Sequence, residues 1–149
     1  MSTNVLRIIP TDPNYLPDSG IQQMAQALFS SFVAKADQVN VTASDEISFV
    51  DPGENWERVA CPVCGADLGD WWQAAMEAAY ADNFADLTVT VPCCGATGSF
   101  NDLIYDPAAG FARFILEAIN PVNDVNGSQL GLLSATMRCD LRKIQARYE

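Results

Sequence analysis

The sequence predicts an α+β fold with a mainly antiparallel sheet. The prediction depends on three segments with helical periodicity, at about 21–36, 70–81 and 128–148, and on short β-branched segments between them in mixed order. The chain has 149 residues, 49% of them hydrophobic, which is enough for one domain with its own core. We therefore predict a single domain, 1–149, with a cysteine-rich region at 61–95 embedded in it.

The N-terminal third combines predicted strands with the first helix. Residues 5–9 are apolar and β-branched around one arginine, which predicts a strand. The helix that follows carries apolar residues at three- and four-residue steps, and Asp18 or Ser19 is its expected N-cap. Two further strands, 39–41 and 47–50, are predicted on either side of a polar turn.

The predicted elements of the middle region surround the cysteines. The helix at 70–81 is rich in alanine and begins with an acidic residue, which suits the helix dipole. Residues 87–91 form the clearest strand because β-branched side chains dominate them. A capping-box pattern predicts a short helix over 99–105. Residues 111–120 fit both a helix and a strand, and we favour the strand because glycine and Asn-Pro frame the segment.

The last predicted helix, 128–148, has a long apolar stripe at helical spacing. The stripe consists of Leu130, Leu133, Met137, Leu141, Ile144 and Tyr148. The last twelve residues carry four basic side chains, which suit a helix C-terminus. Cys139 lies beside this stripe, so we interpret it as a small buried apolar residue.

Four of the five cysteines lie in two short motifs. These are Cys61-Pro62-Val63-Cys64-Gly65 and Val91-Pro92-Cys93-Cys94-Gly95. A Cys-x-x-Cys-Gly turn holds two thiols on one side of a tight loop, and its glycine permits a positive φ. Cysteine thiolates in fours are the ligands of structural zinc. The motifs at 61–65 and 93–95 resemble the zinc knuckles of zinc-ribbon proteins, and the resemblance implies a structural Zn²⁺ held by a pair of knuckles.

The second motif departs from the zinc-ribbon pattern because Cys93 and Cys94 are adjacent. Neighbouring side chains on an extended chain point to opposite faces, so both reach one metal ion only if the backbone turns sharply. We predict Cys61, Cys64, Cys93 and Cys94 as the ligands. If Cys94 points into the core instead, Cys139 or a nearby aspartate is the alternative fourth ligand.

Two other uses of the cysteines compete with metal binding. A redox Cys-x-x-Cys pair needs its first thiol at a helix N-terminus, but the predicted helix begins only at Asp70. A disulfide needs an oxidising compartment. The chain opens with neither the charged nor the apolar region of a signal peptide, and no apolar run has the length of a membrane span. We therefore expect a cytoplasmic protein with reduced cysteines.

The charge of the chain restricts its partners. The formal net charge is -11, from 19 acidic and 8 basic residues, and residues 1–137 carry an excess of thirteen negative charges. Such a surface repels nucleic acid and anionic lipid and attracts basic proteins. The chain has no histidine, which excludes Ser-His-Asp and Cys-His catalysis, and it has no phosphate-binding glycine motif.

These features predict a non-enzymatic, zinc-stabilised protein-interaction module that binds a basic protein partner. An inhibitor or immunity protein against a cationic toxin has this profile, and so does an adaptor in a larger assembly. One alternative is an enzyme that uses a thiolate or a carboxylate site. The other is a nucleic-acid-binding zinc ribbon, which the negative charge opposes.

Overall fold

The computed structural model describes residues 2–149 and has the predicted class, α+β with three α-helices and a mainly antiparallel sheet. Its elements, in chain order, are β1 (Thr3–Pro10), α1 (Ser19–Phe32), β2 (Gln38–Val50), β3 (Arg58–Ala60), α2 (Gly69–Ala81), β4 (Thr88–Thr90), β5 (Thr97–Ser99), a 3-10 turn (Phe100–Asp102), β6 (Ile104–Asp106), β7 (Gly110–Ile119), α3 (Gly127–Met137) and β8 (Leu141–Tyr148). No helix in this part of the chain is both long enough and apolar enough to cross a membrane.

The main sheet contains β1, β2, β7 and β8 in the order β2-β7-β1-β8, and every neighbouring pair is antiparallel. With α1 and α3, these strands follow the β-α-β-β-α-β order of a split βαβ (ferredoxin-like) arrangement. The helices cover one face, where Phe29 of α1 and Leu133 of α3 share a fully buried cluster with Leu6, Ile8 and Phe114 of the sheet. The rest of the chain interrupts this unit between β2 and β7.

We call this interruption, residues 51–109, the cysteine insert. It contains α2 and the strands β3 to β6, which form two short antiparallel pairs, β3 with β6 and β4 with β5. Its own core includes Cys61, Met76, Phe84 and Phe100, and this core continues onto Phe111 at the start of β7. The insert therefore packs against the end of the β2–β7 pair.

The first residues of the cysteine insert reach the opposite edge of the sheet. Gly53 forms a bridge with Arg147 of β8, and its φ of 58° is one that glycine adopts without strain. A Cβ at Gly53 would lie 2.3 Å from the Arg147 carbonyl oxygen, so the close approach also requires glycine. This contact protects part of the free edge of β8.

Several sequence predictions are confirmed with adjusted limits. Helix α2 matches the predicted helix at 70–81, and 111–120 is a strand, as we favoured. Helix α1 is capped by the Asp18 carboxylate, which accepts from the Ile21 N–H at 2.9 Å, but the helix ends at Phe32 rather than at 36.

Two predictions in the strand-rich segments need correction. The strands predicted at 39–41 and 47–50 are one strand, β2, with a shift of register against β7 between Ala43 and Ser48. The short helix predicted over 99–105 is a single 3-10 turn followed by β6, because the chain extends again to pair with β3.

The prediction of one helix over 128–148 is wrong in its second half. Helix α3 ends at Met137, where Arg138 takes a left-handed conformation (φ 59°), and β8 follows. Strand β8 pairs with β1 along its whole length, and its buried Ile144 and Ala146 alternate with exposed neighbours. Pairing with the free edge of β1 thus overrides a local apolar spacing that also fits a helix.

In strand β8 and the turn before it, the basic residues and Cys139 have surroundings that differ from those of a terminal helix. The Arg142 guanidinium donates to the Ala109 carbonyl at 2.8 Å, and the Lys143 ammonium lies 2.7 Å from the Asp124 carboxylate. These groups bind the chain to itself instead of neutralising the end of a helix. Cys139 lies half-buried in the turn between α3 and β8, where it packs against the helix-side core.

Candidate metal centre

Two knuckles, one after β3 and one after β4, carry the four cysteines of the motifs. In the first, the Cys61 N–H donates to the Ala66 carbonyl and the Gly65 N–H donates to the Cys61 carbonyl, both at 2.9 Å. These bonds close a tight loop that needs a positive φ at its glycine, and the φ of Gly65 is 77°. The loop places the sulfur atoms of Cys61 and Cys64 within 4.8 Å of each other.

The second knuckle has the same hydrogen bonds as the first. The Val91 N–H donates to the Ala96 carbonyl and the Gly95 N–H donates to the Val91 carbonyl, again at 2.9 Å, and the φ of Gly95 is 73°. Val91 therefore occupies the backbone position of Cys61, and Cys94 occupies that of Cys64. The remaining thiol, that of Cys93, comes from the position of Val63.

The four sulfur atoms meet between the knuckles. The Sγ atoms of Cys61, Cys64, Cys93 and Cys94 all lie within 4.8 Å of one another. The Cys64–Cys93 separation is 3.2 Å and the Cys61–Cys94 separation is 3.8 Å, and all five cysteines are free. A tetrahedral ion with bonds of about 2.3 Å to sulfur needs sulfur–sulfur distances of about 3.8 Å. The cluster is thus compatible with a zinc site.

Cys94 lies in this cluster rather than in the core. The turn at Pro92 and Gly95 directs the thiols of Cys93 and Cys94 to one place although the residues are adjacent. Cys139 is not among the grouped side chains in the described part of the chain. Our preferred fourth candidate therefore has the required proximity, and the alternative does not.

The four thiols differ in their exposure to solvent. Cys61 is fully buried in the apolar core of the insert, whereas Cys64, Cys93 and Cys94 are exposed. The apolar neighbours of Cys61 in that core include Val59, Leu68, Val89, Val91 and Leu103. An ion held here would have protein on one side and solvent on the other.

Hydrogen bonds from the backbone of the first knuckle stabilise the thiolate form of Cys61. Backbone N–H groups of Cys64 and Val63 donate to the Cys61 sulfur, and they lower its pKa to about 6 despite its burial. The hydrogen bond between the Cys64 and Cys93 sulfur atoms and the desolvation of the Cys93 thiol raise the pKa of Cys93 to about 12. Four thiolates this close repel one another, so full ionisation requires a bound cation.

Asn101 connects the cysteine insert to the sheet, and sequence reasoning missed it. Its side chain is 5% exposed, and its amide donates to the Thr11 carbonyl at 2.7 Å. Its carbonyl oxygen accepts from the Phe111 N–H at 3.1 Å and from Arg142 at 3.2 Å. These partners lie in three separate stretches of chain, so no local pattern in the sequence could have identified them.

Comparison with known proteins gives no match: no protein-family model, no curated protein and no solved structure is similar to the chain. The resemblance to zinc ribbons therefore depends on the motifs themselves and on the proximity of their four thiols.

Proposed function

We propose that the four cysteines bind one structural zinc ion and that the chain is a non-enzymatic module for binding a basic protein partner. The observation that carries the metal assignment is the group of four thiols within 4.8 Å at the ends of two matched knuckles. A site with four sulfur ligands suits zinc or iron, and a site with no open position is structural. The residues fit the ion, since Cys61, Cys64, Cys93 and Cys94 would supply four thiolate ligands within reach of one another.

The matched knuckles lead to a direct test of the ligand set. Because Val91 stands where Cys61 stands in the first knuckle, we expect the double variant Val91→Cys/Cys93→Ala to restore two regular Cys-x-x-Cys knuckles. It should retain about one zinc per chain, whereas Cys93→Ala alone should lose most of its zinc. Metal content after dialysis against a mild chelator measures both. Equal loss of zinc from the single and the double variant would contradict the equivalence of the knuckles.

The distribution of charge supports the basic partner. The cysteine insert contains ten of the 19 acidic residues and one of the eight basic residues of the chain. A filled four-thiolate site adds about two further negative charges to the same region. A surface of one sign accelerates the encounter with an oppositely charged protein and makes binding sensitive to salt. An inhibitor or immunity protein for a cationic toxin, or an adaptor for a basic subunit, would use such a surface.

A matched pair of charge variants tests this proposal. Glu57→Gln/Asp70→Asn removes two exposed acidic groups from the cysteine insert, and Asp140→Asn/Glu149→Gln removes two exposed groups from the last ten residues. Both raise the net charge by two. In a pull-down from the source cells at low salt, we expect the insert variant to recover several-fold less partner than the tail variant.

Salt dependence provides the second readout of that pull-down. Recovery by the wild type should fall steeply between low and high salt, because screening weakens contacts between exposed charges. A partner whose recovery ignores salt, or falls equally in both variants, would contradict an acidic docking surface on the insert.

A further inference from the structure

A groove of about 600 Å³ lies between β2 and α2, away from the four cysteines. Its floor is apolar and includes Phe49 of β2, Met76 of α2 and Phe84, of which the last two are 8% and 5% exposed. Its rim carries the exposed carboxylates of Glu46 and Glu77. A groove of this volume suits the side chain of a bound ligand or peptide.

An exposed tyrosine stands at the edge of the groove. Tyr80 is 70% exposed, so most of its ring is accessible to a binding partner. Its ring packs edge-to-face on Phe84, with the ring centres 5.8 Å apart. Tyrosine in such a position is a common anchor of protein interfaces.

The backbone beneath the groove is strained. Asn83 and Phe84 both have left-handed conformations, with φ of 53° and 54°, and such values are rare for a bulky residue. The conformation places the Phe84 ring 5.4 Å from that of Phe111 in the core. Residues in such rare backbone conformations are found most often at functional sites, where the surrounding structure stabilises them.

The charge around the groove is negative. None of the described residues that line it is basic. A second depression continues from it past Asp45 and Asp82, and the Arg113 guanidinium there lies 3.6 Å from the Asp45 carboxylate. Arg113 also donates to the Ser44 carbonyl at 3.0 Å, so it is engaged within the chain.

We propose that this groove is where the basic partner binds, with an apolar side chain of a basic segment on the Phe49–Met76–Phe84 floor. Lysine or arginine residues that flank the apolar side chain would lie against Glu46 and Glu77. The inference builds on the proposed basic partner and adds where the partner docks and what chemistry its segment carries. The apolar floor and the acidic rim together favour a basic segment that carries one apolar side chain over a segment that is only basic.

Two synthetic peptides of equal charge test the inference. The probe is acetylated Lys-Arg-Lys-Leu-Lys-Arg-Lys, and its control carries alanine in place of the leucine. Burial of the additional carbons of leucine should make the probe bind the full-length protein about tenfold more tightly than the control. Both dissociation constants are measured by titration of fluorescently labelled peptide at low salt, and tighter binding of the leucine peptide supports the groove.

Protein variants then locate the binding. Tyr80→Ala should reduce the preference for leucine several-fold, and Leu132→Ala, which removes a 55% exposed side chain from α3, should leave it unchanged. Glu77→Lys reverses a charge at an exposed rim position and should weaken binding of both peptides. Since Tyr80, Leu132 and Glu77 are all exposed, a normal melting curve is expected for each variant and confirms that it is folded.

The possible results bear differently on this inference and on the broader proposal of a basic partner. If the two peptides bind equally and their binding is sensitive to salt, the groove is not the binding site, but the acidic docking surface is still supported. If neither peptide binds at low salt, both the groove and the acidic docking surface are contradicted. A dimer of this chain that disappears in Tyr80→Ala, measured by light scattering, would assign the groove to self-association and overturn the proposed occupant.

Discussion

Cys61→Ser is expected to lower the free energy of unfolding by about 4 kcal/mol or more and the melting temperature by about 10 °C. Cys61 is fully buried and belongs both to the four-thiol cluster and to the core of the cysteine insert. The binding free energy of a structural zinc is largely folding free energy. Losing one of four ligands therefore destabilises the insert as a whole, beyond the small cost of replacing sulfur by oxygen.

Cys139→Ser is the matched control for this prediction. Cys139 is half-buried against the helix-side core and lies outside the cluster, so its replacement should cost only about 1 kcal/mol. A chelator should lower the melting temperature of the wild type and of the control, and it should have little further effect on Cys61→Ser. Equal melting temperatures for the two variants would argue against a metal-dependent fold.

Asn101→Ala is expected to cost about 3 kcal/mol, the second largest effect. The substitution leaves the Thr11 carbonyl and the Phe111 N–H without their partner, and it removes one acceptor from the Arg142 guanidinium. Each buried polar group left unpaired costs about 1–3 kcal/mol. The loss should appear as a lower urea midpoint, because these bonds hold the insert against the sheet.

Asn55→Ala tests the same chemistry at an exposed position. The Asn55 amide makes one hydrogen bond, to the Gln145 carbonyl at 3.1 Å, so its removal should cost about 0.5 kcal/mol. Zinc content should be unchanged in both variants, since neither residue belongs to the cluster. Similar urea midpoints for Asn101→Ala and Asn55→Ala would contradict the role assigned to the buried network.

The sequence was sufficient for features that depend on local patterns. Alanine-rich composition and the acidic first turn located α2, and the knuckle motif located the cysteines. Local reasoning failed at 141–148, because apolar residues there fit a helix and a strand, and only pairing with β1 decides between them. An eight-residue pattern carries no information about a pairing partner that lies more than a hundred residues away in the chain.

The matched knuckles show a different limit of sequence reading. Aligning the motifs on their cysteines makes the second one look irregular. Aligning them on Pro62 with Pro92 and Gly65 with Gly95 reveals that Val91 stands in the place of Cys61. The proline and glycine reveal the equivalence of the two loops because they determine the backbone conformation, whereas the cysteines show only which positions hold a thiol.

The metal content of the purified protein tests the central claim most directly. The protein should be prepared without added metal and measured by elemental analysis together with X-ray absorption at the zinc edge. We predict about one zinc per chain with four sulfur neighbours at about 2.3 Å. Protein without zinc, with Cys61 and Cys64 joined in a disulfide, would contradict the structural-zinc account.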